Sequence, residues 1–274
     1  IFAEANGDIS TQVQQINDFI LQGVDAIVIE PGSGNALDGA IQKASDAGIP
    51  CVIVNDGPVS SEAELCYQIN YNWDEITGTI TKYICDLLGG EGKVIELRGM
   101  AGTESDELMH QGVVDVLADY PDIEVVSEIY TNWNGSDAQQ QLASVLPTLD
   151  HVDAIITQGG DSYAAVQALL AAGYTEDDLP IVAGDCRGSF LNWWANEAPE
   201  GYDTISASAN PFNPSAGLYA AIDILDGKDV PNVMIHPVGI VTKDDVDQYE
   251  NVGADEVGCP TYDWDWVRSE LEAQ

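Results

Sequence analysis

The sequence predicts an α/β protein with two domains, each built around a doubly wound parallel sheet. Its 274 residues are enough for two α/β domains of ordinary size, each with its own core. Short runs rich in valine and isoleucine alternate with longer segments in which apolar residues recur every three or four positions. Such alternation of strands and helices implies parallel sheets that are covered on both faces.

The short apolar runs mark the strands in chain order. They are Ala26–Glu30, Cys51–Asn55, Cys66–Tyr71, Lys93–Leu97, Glu124–Tyr130, Ala154–Thr157, Ile181–Gly184 and Thr204–Ala207. Apolar spacing of three and four predicts helices between them, as at Ile16 and Ile20. Gly48 ends one helix before the next strand, and Gly173 ends the helical pattern over Val166–Ala172.

The charge of the chain restricts its partners. Asp and Glu number 47 against 8 Lys and Arg, which gives a net charge of −39. A phosphate backbone would be repelled, so nucleic acid is not an expected partner. Concentrated salt would screen the self-repulsion, so adaptation to a saline habitat is one interpretation; an ordinary acidic extracellular protein is the other. No run reaches the roughly 18 to 20 apolar residues of a membrane span.

Cysteine and histidine spacing predicts neither a metal site nor a cofactor. The five cysteines contain no C-x-x-C pair: Cys51, Cys66, Cys85, Cys186 and Cys259. The three histidines are His110, His151 and His236. A structural zinc site is therefore not expected. His110 is interpreted as a solvated or helix-face residue, and Cys51 and Cys66, which open consecutive strands, are the predicted disulfide pair.

Two glycine-rich runs resemble nucleotide-binding motifs without satisfying them. Gly32–Leu37 follows a strand, but Leu37 stands where a dinucleotide fingerprint needs its third glycine. Gly89–Lys93 resembles a phosphate loop, yet it precedes a strand where such a loop opens a helix. Both are predicted to be turns. With no recognisable nucleophile motif beside His110, the sequence predicts a protein that is not an enzyme.

Polar residues gather where the predicted strands end. They are Asn55-Asp56, Asn70–Trp73, Asn132–Asn134, Gln158–Asp161, Asp185 and Ser208–Asn210. Ligands of open parallel sheets collect at the carboxyl ends of the strands. Carboxylates and amides interleaved with tryptophan suit a sugar, because polar groups fix the hydroxyls and an indole covers the apolar face of the ring.

Several longer stretches belong together in order from residue 1 to about Asp245: Gln22–Pro31, Ala47–Asp56, Gly92–Thr103, Tyr120-Pro121, Asp153–Ile156, Ala171–Gly173, Gly184-Asp185 and Gly227-Lys228. In this order they resemble the ribose-binding-like members of the type I periplasmic solute-binding proteins. The resemblance implies two lobes joined by three crossing segments, which close over a ligand. It divides the chain into residues 1–71 with 208–239, and residues 72–207 with 240–274.

The resemblance also implies a set of ligand-binding residues. These are Asn55, Asp56, Asn72, Glu107, Trp133, Gln158, Asp185, Ser208 and Asn210. Trp133 matches a ring stacker and Asp185 the pocket aspartate. The chain departs from the family at Glu107 and Met109, which stand where similar sugar binders carry arginines, and at Asp56. Extra carboxylates disfavour anionic ligands, so a neutral or cationic sugar, a polyol or an amino sugar is expected.

A second departure concerns the first residues. Ile1–Glu4 matches the family's second strand, so we expect a further strand and helix to precede it in the native protein. Residues 244–274 read as an acidic tail with a terminal helix around Trp264–Leu271.

The resemblance implies ligand capture outside the cytoplasm. The expected protein is a monomer, periplasmic or extracellular, with a lipid anchor as one option, and it serves an ABC importer or a chemoreceptor. Two other classes stay open: a sugar-modifying enzyme on a doubly wound scaffold, and a ligand-sensing domain of a regulator. A binder takes up ligand in fixed stoichiometry and releases no product, which distinguishes it from the enzyme.

Overall fold

The computed structural model describes residues 1–54, 58–209, 213–258 and 263–274. The chain divides into two compact units. Unit 1 comprises Ile1–Asn72, Pro211–Pro237 and Pro260–Gln274, and unit 2 comprises Trp73–Asn210 and Val238–Cys259. Each unit contains a parallel sheet with helices, which confirms the predicted α/β class.

Helices and strands alternate through most of the chain. The elements are α1 (Ile9–Gln22), β1 (Ile27–Ile29), α2 (Asp38–Asp46), β2 (Cys51–Val54), β3 (Cys66–Tyr71), α3 (Trp73–Leu87), β4 (Glu91–Arg98), α4 (Glu104–Leu117), β5 (Asp122–Tyr130), α5 (Gly135–Val145), β6 (Ala154–Thr157), α6 (Ser162–Ala172), β7 (Ile181–Val182), α7 (Gly188–Asn196), β8 (Ser206–Ser208), α8 (Asn213–Leu225), β9 (Val233–His236), β10 (Gly239–Val241) and α9 (Trp264–Trp266). Short 3-10 turns follow α5 and β10, and a π-helical turn, Val267–Leu271, follows α9.

Unit 1 is built on a four-stranded parallel sheet in the order β1-β2-β3-β9. Its central strand β2 is buried at every position, as expected for a strand covered on both faces. Residues 1–5 form no strand, so the prediction of a strand at Ile1–Glu4 is wrong for this structure. The side chains of Ile1 and Phe2 are 91% and 88% exposed, because no described strand pairs with them.

Unit 2 contains a second parallel sheet in the order β5-β4-β6-β7 and an antiparallel ribbon of β8 and β10. The predicted strand at Ile181–Gly184 is shorter in the structure, where Gly184 forms an isolated bridge to Ser206. Strands β9 and β10 were not predicted from the sequence. Their short runs flank Pro237, and proline weakens a strand pattern.

Residues Pro260–Gln274 belong to unit 1, whereas the resemblance placed all of residues 240–274 with the second lobe; Val238–Cys259 belongs to unit 2. The chain passes between the units at four places, where the resemblance implied three. The predicted terminal helix is confirmed, and its Val267 and Leu271 are buried against the core around α8. Arg268 donates to both carboxylate oxygens of the fully buried Asp223, at 2.7 and 2.9 Å, and Lys228 reaches the same carboxylate at 2.7 Å.

The predicted disulfide is absent from the structure. Cys51 and Cys66 are partners in the register of β2 and β3, as their positions indicated, but both are free thiols. Neighbouring parallel strands hold such side chains side by side about 4.8 Å apart, whereas a disulfide brings Cβ atoms to about 3.8 Å. Burial raises the pKa of Cys51 to about 12 and that of Cys66 to about 11.

Candidate functional site

The candidate site in unit 2 lies at the carboxyl edge of its parallel sheet. The loops that follow β4, β5, β6 and β7 all leave the sheet at this edge, because the four strands run in the same direction. Trp133, Gln158 and Asp185 lie on three of these loops, and Glu107 lies in the first turns of α4. The fold therefore gathers these four predicted residues at one edge, where α/β sheets bind their ligands.

Trp133 has a constrained backbone and a closely fitted ring. It and Asn132 have φ values of +52° and +54°, a left-handed region that non-glycine residues seldom adopt. A Cβ atom on Gly99 would lie 2.0 Å from Cε2 of the indole, and one on Gly160 would lie 2.3 Å from the carbonyl oxygen of Trp133. The indole thus packs directly on the backbone of Gly99, the backbone of Trp133 packs on Gly160, and the residue as a whole is partly exposed. Backbone strain held by surrounding contacts is typical of ligand sites.

Gln158 braces the loop that follows β4. Its Oε1 accepts a hydrogen bond from the backbone N–H of Gly99 at 2.9 Å, and its Nε2 donates to the carbonyl oxygen of Asp106 at 3.2 Å. The residue is buried. Both polar atoms of the amide are therefore already engaged, and a ligand contact would have to share them.

Asp185 ties two loops of the edge together. Its carboxylate accepts a hydrogen bond from the backbone N–H of Arg187 at 3.1 Å, and the backbone N–H groups of Gly160 and Ser162 also favour its charged form. The Nε of Arg187 lies 3.8 Å from the carboxylate. Burial raises the pKa of Asp185, while these hydrogen bonds and the charge of Arg187 oppose the shift. The predicted pocket aspartate consequently has a structural role in the free protein.

Asp161 is a second buried carboxyl at the same edge. Its Oδ2 accepts a hydrogen bond from the hydroxyl of Thr131 at 2.5 Å, and its Oδ1 has no hydrogen-bond partner among the described residues. Burial raises the pKa of Asp161 to about 8, Thr131 opposes this, and the nearby charge of Asp185 adds to it. At neutral pH the free protein therefore favours a protonated acid here, which can donate a hydrogen bond as well as accept one.

Arg98, the last residue of β4, has its positive charge balanced by carboxylates of the protein. Arg98 is buried and pairs with the fully buried Asp106, at 2.7 Å from Oδ2 and 3.3 Å from Oδ1. Glu107 is 61% exposed and lies 3.2 Å from the same guanidinium. The guanidinium also lies over the ring of Tyr130, 4.9 Å from its centroid. Glu107 therefore adds a carboxylate to a guanidinium that Asp106 already balances.

The other predicted residues are placed less completely. Asn72 directly follows β3 of unit 1 and is half-buried. Ser208 is the last residue of β8, where its backbone pairs with Gly239, and its side chain is outside the described part of the chain. The predictions at Asn55, Asp56 and Asn210 also fall outside the described residues.

The structure adds residues that the predicted set did not contain. Asp161 belongs to the polar run after β6, but only the fold shows that its carboxyl is buried. Thr131 became a candidate only through its hydrogen bond to that carboxyl. Arg187 is exposed, two positions beyond Asp185, at the start of α7. Its position beside the predicted aspartate is a signal that the sequence did offer.

Comparisons with known proteins show which family this chain resembles in sequence. The family model of the periplasmic binding protein domain matches residues 1–229. The xylitol-binding protein of Mycolicibacterium smegmatis is 30% identical over 251 residues, which cover 90% of this chain and 69% of that protein. A putative rhizopine-binding protein of Rhizobium meliloti is 30% identical over 253 residues, 90% of this chain and 81% of that protein.

A solved structure shows the same architecture. The ABC transporter solute binding protein of Thermobispora bispora superposes with a TM-score of 0.84 at 30% sequence identity, over 100% of this chain and 83% of that chain. Among the residues that the structure describes, the helices are all too short or too polar to cross a membrane.

Proposed function

We propose, from the premise that this chain belongs to the family of periplasmic binding protein domains, that it captures a sugar or polyol outside the cytoplasm for an ABC importer. The observation that carries the proposal is the half-exposed indole of Trp133, fixed on Gly99 beside the buried carboxyls of Asp161 and Asp185. An indole face covers the apolar face of a sugar ring, and buried carboxyls accept hydrogen bonds from its hydroxyls. Relatives named for xylitol and for rhizopine support the same ligand class.

The charges of unit 2 favour a neutral or cationic ligand. Arg98 is balanced by Asp106 and Glu107, so it offers no free positive charge to an anion. Arg187 is exposed, but it lies 3.8 Å from Asp185. Of the anions, a phosphorylated sugar would meet the most repulsion from the surrounding carboxylates.

The proposed binding set is the one implied by the resemblance, extended by two residues. Trp133 stacks on the ring, Asp185 accepts hydrogen bonds from the hydroxyls, and Asp161 and Arg187 join them. The remaining members are Asn55, Asn72, Asp56, Glu107, Gln158, Ser208 and Asn210.

The protein acts as a binder without turnover, as a monomer, and its partner is the permease of an importer or a chemoreceptor. Its net charge of −39 is an adaptation to salt. Screening of the self-repulsion by molar potassium chloride will therefore raise the unfolding midpoint steeply. A flat series of melts from dilute to molar salt would remove the salt interpretation and leave ligand capture intact.

The decisive experiment identifies a ligand and asks whether it is consumed. Native mass spectrometry of the purified protein detects a co-purified small molecule, and a thermal-shift panel compares xylitol, inositol, pentoses, hexoses, an amino sugar and a sugar phosphate. Calorimetry of each hit will give one site per chain, and mass spectrometry of the ligand after long incubation will find it unchanged. Conversion to a product would identify an enzyme, and silence across the whole panel would contradict sugar capture.

A further inference from the structure

Three potential metal ligands meet on the face of the unit 2 sheet that α4 covers. Glu96 of β4 and Glu128 of β5 are direct partners in the parallel register, so their side chains leave the same face of the sheet. His110 of α4 places its Nδ1 3.0 Å from both carboxylate oxygens of Glu96. One ligand atom from each of the three residues lies within 4.8 Å of the others.

The charges around this cluster are not balanced. Glu96, Glu128, Asp106 and Glu107 bring four carboxylates to one network, and the ion pairs found among the described residues give it a single guanidinium, that of Arg98. Arg98 lies closest to Asp106, at 2.7 Å, and reaches Glu128 only at 3.7 Å. The side chain of Glu96 is only 2% exposed, so water does little to compensate its charge. Even with His110 counted as a cation, these four carboxylates face two positive groups, and a divalent ion would offset the remaining negative charge.

We propose that Glu96, His110 and Glu128 bind a divalent transition-metal ion, with Zn²⁺ as the best fit. Zinc takes imidazole nitrogen and carboxylate oxygen at about 2.0 to 2.2 Å, which puts neighbouring tetrahedral ligands about 3.4 Å apart. The Glu96–His110 separation of 3.0 Å is close to that value. Glu128 is 49% exposed and would exchange its long contact with Arg98, at 3.7 Å, for the ion, and water would take the fourth position.

The ion would join three elements that support the ligand edge. β4 and β5 lead directly into the loops that carry Gly99 and Trp133, and α4 supplies Asp106, which accepts from the backbone N–H of Gly99 at 3.0 Å. A metal that ties β4, β5 and α4 together stabilises unit 2 without touching a sugar. Its predicted effect is therefore on metal affinity and on unfolding, and it does not depend on the proposed function.

The test is calorimetric titration of chelator-treated protein with zinc chloride. Wild-type protein will bind one ion, and His110→Gln and Glu128→Gln will each weaken that binding at least tenfold, as loss of a ligand or of its support does at other sites. His151→Gln is the matched control, since His151 pairs with Asp153 at 2.7 Å and the described residues offer this pair no third ligand; the zinc affinity of this variant will equal that of the wild type. Equal affinity in all four proteins would overturn the proposal.

Two further measurements, of thermal unfolding and of the cobalt spectrum, test the same metal site. Zinc will raise the unfolding midpoint of the wild type, and Glu128→Gln, which changes an exposed side chain, will fold but lose this rise. Calcium at the same concentration will not reproduce it; an equal rise with calcium would indicate the acidic surface and refute the site. Cobalt substituted for zinc will show no thiolate charge-transfer band, and such a band would assign the metal to cysteine.

Discussion

Replacing Gly99 by alanine is expected to disturb the ligand site through one side chain. The new Cβ would lie 2.0, 2.2 and 2.4 Å from three atoms of the indole of Trp133, where ordinary contacts are about 3.5 Å. The ring must therefore move by more than about 1 Å. Gly99 has no positive φ, so the alanine itself fits the backbone, and the displaced ring is half-exposed.

The magnitude follows from the interaction that the ring would make. Aromatic stacking contributes about 0.5 to 1.5 kcal/mol beyond burial of area, which corresponds to a Kd about two- to twelve-fold higher. Calorimetry with the best ligand of the panel measures this change. Gly78→Ala is the control in the same unit, because its Cβ would meet its nearest neighbours at 3.6 Å, an ordinary contact. Its Kd will equal that of the wild type.

A double variant decides whether the effect passes through the indole. Trp133→Ala alone will weaken binding at least as much as Gly99→Ala, and the combined variant will bind no more weakly than Trp133→Ala alone. Additive losses would mean that the alanine acts by another route, such as the hydrogen bonds of the Gly99 backbone N–H. Unchanged affinity in both single variants would refute the assignment of Trp133 to the ligand.

Three further predictions concern stability and thiol chemistry. Arg268→Ala will lower the free energy of unfolding in urea titrations, because it removes two hydrogen bonds to a buried carboxylate. Lys82→Ala, which breaks an exposed ion pair, will lower it less, and equal losses would contradict this ranking. The folded protein holds the proton of Asp161 up to about pH 8, whereas the unfolded chain releases it near its ordinary pKa of 3.8, so this carboxyl makes the free energy of unfolding fall as pH rises between those values. The stability of Asp161→Asn relative to the wild type will therefore increase from pH 5 to pH 8. A constant difference between the two proteins over this range would contradict the burial argument. Cys51 and Cys66 will resist thiol reagents in the native protein and react fully in denaturant without reductant, whereas a disulfide would leave both unreactive.

Two strands were predicted with the bounds that the structure shows, Cys66–Tyr71 and Ala154–Thr157. Ala154–Thr157 is buried at every position, as expected for a strand covered on both faces. Cys66–Tyr71 is only partly buried, and its aromatic and β-branched residues favour a strand although Gln68 and Asn70 interrupt the apolar run. The strand predicted at Ile1–Glu4 did not form, since a strand needs a neighbour and the pattern of residues does not reveal whether one is present. β9 was missed for a related reason: four residues ahead of a proline become a strand only when β3 pairs with them.

The candidate site was predictable in place but not in detail. Parallel strands deliver their carboxyl ends to one edge, so polar residues after each strand were bound to converge in unit 2. Which atoms remain available to a ligand depends on contacts between loops that are distant in the sequence. The side-chain amide of Gln158 is hydrogen-bonded to the backbones of Gly99 and Asp106, which lie 59 and 52 positions away in the sequence. Asp161 was an ordinary member of a polar run until the fold buried it.

The distribution of the few cations explains why so acidic a chain can still fold. Of its 8 Lys and Arg residues, three pair with carboxylates that are fully buried in the described part of the chain: Arg98 pairs with Asp106, and Arg268 and Lys228 pair with Asp223. Removing a cation from such a pair would leave a buried charge uncompensated, which costs far more than the loss of an exposed pair. Salt screens repulsion between exposed carboxylates much more than attraction inside these pairs. Added salt therefore reduces the repulsion between carboxylates on the surface, while the buried ion pairs continue to stabilise each unit.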